Sequence, residues 1–362
     1  MCLHIFTMQK TSGELTDNKI IVKKPKDVGR LYSKSRFGKT IPGNKLVLDL
    51  IEGVFLLDEE KLRLFQDGGE IYLQDLVKIS ARQIPHFEIK YLIFRDLRKR
   101  GYAVKLNKEG KEYDFYILKE ENNSEESKKV CFISAFSERD VMDINKIKRS
   151  IGTASNINGD LWFAIVDEEG DITYYDVSMS DLKGEISEHK FSKTTGILLE
   201  NRIVIFDKKM AEKLLEKEFY GKPFGNGLQL SMVESLYLLE KKVVDIQDVA
   251  KGKSFSPKQF KNLIQKTQSD IDLRFTVFTD LKKRGLIVKT GFKFGAHFRA
   301  YTKKPGETHA EYLIHVVDKN FKSTWSEISR AVRLAHSVNK EIFFARVNGI
   351  KIDYIKLGRL RP

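Results

Sequence analysis

Three kinds of side chain gather near the carboxyl end of this chain: a phenol at Tyr301, an imidazole at His309 and a cation at Lys340. Held within one small fold, such groups point to metal-free cleavage of RNA. An imidazole moves protons near neutral pH, and a cation steadies charge that develops on phosphorus. Each residue also has an ordinary reading. A strand tyrosine often does no more than satisfy its hydroxyl, and a loop histidine beside Glu307, Thr308 and Glu311 is commonly just solvated. His297, His315 and His336 are rival imidazoles. His315 lies in the apolar run YLIHVV and reads as core, while His336 flanks a helix stripe where it could touch a phosphate.

The elements that must position these groups are legible. An amphipathic helix is expected over Ser269–Arg284, with Phe275, Phe278 and Leu281 on one side and Gly285 placed to stop it. Lys289–Tyr301 (KTGFKFGAHFRAY) reads as a tight β-ribbon, rich in phenylalanine and glycine and ending on Tyr301. A short loop holds His309, and Tyr312–Val317 is a buried strand. The next helix, Thr324–Lys340, opens as a capping box, with Thr324 as N-cap and Glu327 reaching back. Ile328, Ala331, Val332, Ala335 and Val338 form its apolar face. Arg330, Arg333, Ser337 and Lys340 form a polar stripe that ends beside the strand Ile342–Val347.

Composition narrows the partner. Lys and Arg outnumber Asp and Glu by 64 to 50, a net charge of +14, which favours a polyanion and nucleic acid first. Hydrophobic residues at 41% and aromatics at 11% suffice to bury real cores, which excludes a disordered chain. Cys2 and Cys131 can make neither a disulfide framework nor a zinc site and suit a reducing compartment. The opening MCLHIFTM is too short for a signal peptide, and no stretch reaches the roughly 18 apolar residues of a membrane helix. A cytoplasmic protein with no membrane partner is expected.

From Asn18 onward the chain is written twice. Asn18–Lys39 lies over Asn201–Lys222 without a gap; Gly43–Leu57 matches Gly225–Leu239; Ile93–Lys105 matches Val277–Lys289; Leu161–Val166 matches Ile342–Val347. Anchors in one order at a nearly constant offset define two copies. The expected organisation is an N-terminal tail over 1–17, a degenerate first repeat over 18–182 and a linker over 183–200. The second repeat divides into an N-terminal subdomain, 201–288, and a chemistry-bearing subdomain, 289–362. Each copy should contain an apolar helix such as Leu228–Leu239 and close as a mixed sheet packed on a helix, an α/β (α+β) tandem repeat. Glu120–Lys129 is a charged loop in the first copy only.

The copies differ where chemistry would occur. Alignment sets Tyr116 opposite Tyr301 after one gapped residue, Ser127 opposite His309, Gly159 opposite Lys340 and Gly152 opposite Arg333. No histidine occurs from Leu97 to Glu188. Packing needs alone would not sort the losses that way. One copy works and the other supports it.

KTGFKFGAHFRAY, the tyrosine-to-histidine spacing and RAVRLAHSVNK resemble the archaeal tRNA-splicing endonucleases, also called tRNA-intron endonucleases. The likeness covers essentially all of the second copy, and the first resembles the degenerate half of that family's fused-repeat, homodimeric class. It implies that Tyr301, His309 and Lys340 take the catalytic triad positions, with no cofactor and no metal. It implies excision of introns from precursor tRNA at bulge-helix-bulge sites, leaving 2′,3′-cyclic phosphate and 5′-hydroxyl ends. Tyr301 would orient or deprotonate the 2′-hydroxyl, His309 would protonate the departing 5′-oxygen, and Lys340 would stabilise the phosphorane. A phenol is a poor base at neutral pH unless a neighbouring cation assists it, so orientation is the alternative role.

The resemblance also implies that a bulged base is held between two arginine planes. Arg333 takes the helix position, and Arg359 is favoured over Arg361 as its partner. It further implies a two-fold dimer in which an acidic loop of the non-catalytic repeat docks on the opposite subunit. Asp167, Glu168, Glu169 and Asp171 form such a turn, whose counterpart Asn348-Gly349-Ile350 is uncharged. Two other readings compete. One is a non-catalytic winged-helix nucleic-acid binder, with DLKKRG ending a recognition helix and the glycine-aromatic ribbon as wing. The other is a metal-dependent nuclease built on Asp353 and Lys356.

Overall fold

The two copies fold alike, and their second halves merge into one sheet. The computed structural model describes residues 10–107, 112–120, 128–249, 252–306 and 309–362. In the first copy the merged part consists of α1 (Phe87–Lys99), β1 (Val104–Leu106), β2 (Phe115–Glu120), β3 (Lys128–Ser137), α2 (Ile144–Ser155), β4 (Asp160–Val166) and β5 (Ile172–Met179). In the second it consists of α3 (Ile271–Lys283), β6 (Ile287–Thr290), β7 (Phe298–Tyr301), β8 (Tyr312–Asp318), α4 (Trp325–Ser337), β9 (Glu341–Asn348) and β10 (Lys351–Leu360). The ten strands lie in the order β6-β7-β8-β9-β10-β5-β4-β3-β2-β1, a palindrome of the two copies. β8 runs parallel to β9, as β3 does to β4. The copies join where β5 and β10 pair antiparallel, Val177 opposite Leu357. The two-fold recurs in a small ribbon, where Val141–Asp143 pairs with its own counterpart Lys322–Thr324.

Helices α2 and α4 cover one face of this sheet and share a single core. Ile144, Ile147 and Ile151 from one copy cluster with Trp325, Ile328 and Val332 from the other. Trp325 packs on Phe136, Phe163 and Tyr175, all of the first copy. Truncating such a fully buried tryptophan costs about 3–5 kcal/mol, so the copies stand as one cooperative body rather than two beads. On the other face, α1 and α3 pack between the sheet and the amino-terminal part of their own copy. One polar pin fixes each: Tyr174 donates to Asp96 at 2.7 Å, and Tyr354 donates to Asp280 at 2.8 Å.

The amino-terminal parts are six-stranded sheets, and here sequence and structure differ. Thr11–Thr16, inside the expected tail, is a strand paired with Lys19–Val22 and Leu62–Gln66. Thr194–Leu199, inside the expected linker, is its counterpart. Their inward positions are Thr11, Gly13 and Leu15, and Thr194 and Gly196. A Cβ on Gly13 would come within 2.8 Å of Ile20, and one on Gly196 within 2.5 Å of Ile203. The sheet needs small residues there, which leaves no apolar alternation to read. The remaining expected tail, 1–9, lies outside the described residues.

The expected helix Leu228–Leu239 is also divided. Gly227–Leu230 is a strand, and the helix is Met232–Glu240. Ser231 caps it, its N–H donating to the Glu234 carboxylate at 2.9 Å. The helix is buried from Met232 to Leu239, so no polar face marked where strand became helix. The charged loop expected over 120–129 is narrower: β2 and β3 stay paired out to Glu120 opposite Lys128, and 121–127 lie outside the described residues. Among the described residues no helix is long and apolar enough to cross a membrane.

Candidate active site

Tyr301, His309 and Lys340 come from three adjacent strands at one end of the sheet. Tyr301 ends β7, His309 stands in the loop before β8, and Lys340 immediately precedes β9. Register aligns these ends, because Ala300 lies opposite Tyr312 and Tyr312 opposite Glu341. Lys340 is aimed by the turn after α4. Asn339 adopts a left-handed φ of 53°, a conformation asparagine tolerates at helix ends, and the Lys340 N–H donates back to Ala335 at 3.0 Å. Its Nζ donates to the carbonyl of Ala310 at 2.7 Å and lies 5.5 Å from the Phe294 ring centre. That leaves the ammonium two further donors. His309 is exposed and lines a cleft of about 530 Å³ with Thr302, Glu311, Asn339 and Glu341. Tyr301 is half-buried, and the Arg299 guanidinium sits 5.7 Å from its ring centre. A phenol, an imidazole and two cations thus share one sheet end.

Sequence reasoning missed Arg299, Thr302 and Glu311. Their signal, alternation along β7 and a polar pair flanking the loop, is too common to single out.

The arginines expected to read RNA lie on the same side. β9 and β10 pair with Phe343 opposite Lys356, and continuing that register sets Arg359 level with Lys340. Arg359 and Arg333 are both exposed. Burial pushes the Tyr175 phenol up; its hydrogen bond with Ser329 at 2.9 Å and the guanidiniums of Arg359 and Arg333 pull the other way. Both cations therefore feel one phenol, on the α4 side of the junction between the copies. Arg361 is exposed beyond the end of β10.

The rival imidazoles have other work. His297 accepts the Val316 N–H through Nδ1 at 3.0 Å, and burial holds its pKa down. His315 stacks on Phe344, and burial lowers it to about 4. Both are half-buried and engaged within the sheet, whereas His336 is exposed in the last turn of α4. The expected capping box is half formed. Thr324 accepts from the Glu327 N–H at 3.4 Å, but the Glu327 carboxylate takes the Ser323 hydroxyl at 2.6 Å instead of reaching back to Thr324.

In the first copy the described strands at the equivalent place stay paired. Lys105 and Lys289 are counterparts, donating to Gly38 at 2.9 Å and Gly221 at 2.8 Å. Lys105 pairs with Tyr116 and Lys289 with Arg299, so Tyr116 is the counterpart of Arg299, and Leu118 is that of Tyr301. This corrects the alignment of Tyr116 with Tyr301. A shift of two along a strand keeps every side chain on its own face, so the alternating pattern cannot reveal it. Gly159, opposite Lys340, is backed by Phe132: a Cβ would come within 2.7 Å of that ring and 3.0 Å of the Val130 carbonyl. Ser127 lies outside the described residues.

The acidic turn is exposed and self-organised. Asp167 accepts from the N–H groups of Glu169 at 3.0 Å and Asp171 at 2.9 Å, and Glu168 pairs with Arg139. The two competing readings lose their footing. The glycine-aromatic ribbon is no free wing, since β6 and β7 belong to the ten-stranded sheet and Phe298 and Ala300 are buried in it. Asp353 is buried against Arg346 at 2.9 Å and Lys148 at 2.7 Å, and Lys356 pairs with Glu341. Neither group of that second reading is available for a metal-dependent site.

Comparison with known proteins agrees with this layout. The family model described as tRNA intron endonuclease, catalytic C-terminal domain, matches residues 87–174 and again 271–354. The companion tRNA intron endonuclease N-terminal domain matches 11–77 and 194–261. The chain is 36% identical over 355 residues to the tRNA-splicing endonuclease of Methanococcoides burtonii, covering 96% of this chain and 99% of that one. It is 33% identical over 353 residues to that of Methanosarcina barkeri, with 96% and 99% covered. Likeness to the Halobacterium salinarum enzyme is 26% over 356 residues, covering 92% of this chain and 95% of the relative.

Proposed function

The chain belongs to the tRNA intron endonuclease family and is an RNA endonuclease of tRNA splicing; from that premise we propose that it cuts precursor tRNA at bulge-helix-bulge sites without a metal. The observation that carries this reading is the convergence of Tyr301, His309 and Lys340 at one sheet end, beside an open cleft, in the one copy that keeps all three. Tyr301 as phenolate takes the 2′-hydroxyl proton, or orients that hydroxyl while water takes the proton, and the 2′-oxygen bonds to phosphorus as the bond from phosphorus to the 5′-oxygen breaks. His309 delivers the proton that the leaving 5′-oxygen requires. Lys340 and its spare donors offset the charge on the phosphorane. The ends are a 2′,3′-cyclic phosphate and a 5′-hydroxyl.

Arg333 and Arg359 are the pair that would clasp a bulged base, since both are exposed beside Tyr175 on the side of the sheet that carries α4. The working form is a homodimer in which Asp167, Glu168, Glu169 and Asp171 dock on a basic surface of the opposite subunit. Support for the dimer is that this rigid acidic turn is exposed and has no charged counterpart in the second copy. Replacing the four by lysine should dissociate the dimer in sedimentation and abolish cleavage; an intact, active dimer would remove the docking role.

The central test is incubation of the protein with a bulge-helix-bulge RNA in excess chelator, with analysis of the new ends. Cleavage leaving cyclic phosphate is expected. Cleavage only with added magnesium, or binding without cleavage, would overturn the mechanism.

A further inference from the structure

We infer that Glu311 is a positioning residue for cleavage, a carboxylate that opens the sheet end and holds His309 at the scissile phosphate. In the first copy, β2 and β3 keep pairing past the point where chemistry would lie: Leu118 opposite Val130, Lys119 opposite Lys129, Glu120 opposite Lys128. In the second copy the equivalent ladder stops at Ala300 opposite Tyr312. Thr302, the next residue but one, turns its backbone N–H to the Glu311 carboxylate at 2.8 Å, and its hydroxyl donates to the other carboxylate oxygen at 2.8 Å. Side chain has replaced backbone as the acceptor. The strands part there, and the chain that carries His309 leaves the sheet and borders the cleft.

The same short stretch is held from its other side. The Glu311 carbonyl accepts the Glu341 N–H at 2.9 Å, and the Ala310 carbonyl accepts Lys340 Nζ at 2.7 Å. Residues 310 and 311 therefore tie the end of β7, the start of β9 and the lysine to the backbone adjoining His309. The strand register places Val130 where Glu311 stands, and valine has no acceptor to offer. Among the described residues the clamp occurs in the copy that also keeps the phenol, imidazole and ammonium. A carboxylate used merely for stability would have no reason to follow that division.

This inference rests on His309 being the proton donor. The test is single-turnover cleavage of a bulge-helix-bulge RNA by the full-length protein and its variants, with RNA binding and thermal unfolding followed alongside. Misplacing a catalytic group by about 1 Å costs on the order of 100-fold, so Glu311→Ala should lower the cleavage rate by about that factor with unchanged RNA affinity. Glu311→Gln keeps one carbonyl acceptor and Thr302→Val keeps the backbone donor, so each should lose only about tenfold. Groups that act as a unit are non-additive, so adding Glu311→Ala to His309→Ala should cost less than about twofold further. A wild-type rate for Glu311→Ala, or the same loss in both backgrounds, would overturn the inference while leaving His309 its role. Should Glu311→Ala unfold, the Gln and Val variants carry the same comparison. His309→Ala cleaving like wild type would overturn the reading of the site and this inference with it.

Discussion

Replacing Asp353 by threonine tests whether the two copies are locked together by a buried charge cluster. Asp353 is 4% exposed and Arg346 7%. They face each other across β9 and β10 at 2.9 Å, and the first copy contributes Lys148 at 2.7 Å and Asn145, which accepts from Arg346 at 3.0 Å. Removing one partner of a buried pair strands the other charge, at a cost of about 3–5 kcal/mol. Lys148 is 35% exposed and can rehydrate, whereas Arg346 cannot. Asp353→Thr should therefore lose about 3 kcal/mol, the lower end of that range. The molecule supplies its own control. At the same hairpin positions the first copy holds Ile165 opposite Thr173, an uncharged pair in an otherwise equivalent setting. The double variant Arg346→Ile with Asp353→Thr should then fall within about 1 kcal/mol of wild type, since an apolar replacement relieves the desolvation cost of both charges. The coupling between the two positions, read from equilibrium urea titrations at fixed protein concentration, should reach about 2 kcal/mol. A single Asp353→Thr change within about 1 kcal/mol of wild type would refute the reasoning, as would a double variant no better than the sum of its parts.

Four further outcomes follow. Because burial lowers His315 to about 4, the unfolded chain takes up its proton first as pH falls; the stability is complete above about 6.5, has dropped by about 2 kcal/mol at about pH 5 and goes on falling through the folded value. His315→Phe, judged by urea midpoints at both pH values, should flatten that dependence. Gly159→Lys should not awaken the first copy, because its Cβ would meet the Phe132 ring at 2.7 Å. It should instead cost about 1–3 kcal/mol of stability, and no cleavage should return when it is combined with His309→Ala. If Tyr301 chiefly orients the 2′-hydroxyl, Tyr301→Phe should slow cleavage about tenfold, against about 1000-fold for His309→Ala; equal losses would make the phenol a true base. Arg333→Ala and Arg359→Ala should each weaken binding of a bulged RNA about tenfold or more, with little effect on a fully paired duplex of the same length.

Much of this protein is legible in one dimension. The internal repeat, the amphipathic helix ending at Gly285, the Thr324 cap and the glycine-aromatic block are local patterns, set by periodicity and backbone preference over a few residues. They suffice to place Tyr301, His309 and Lys340 next to strand ends, and to show that the first copy carries glycine where Lys340 stands and no histidine between Leu97 and Glu188. What the sequence could not carry is anything decided by a neighbour far along the chain. Thr11–Thr16 and Thr194–Leu199 look structureless because threonine and glycine lead their inward faces, with the glycines sized to Ile20 and Ile203 rather than to any rule of alternation. Tyr116 looked like the partner of Tyr301 because a two-residue slip leaves the pattern unchanged, and only cross-strand pairing shows Leu118 in that place. Asp353 could pass for a ligand until Arg346 and Lys148 closed on it from two copies. Glu311 reads as one more loop acid until the strands part at Thr302. Side-chain type and local spacing are written in the chain; register, closeness and which donor meets which acceptor depend on strands brought side by side, and those only the folded molecule decides.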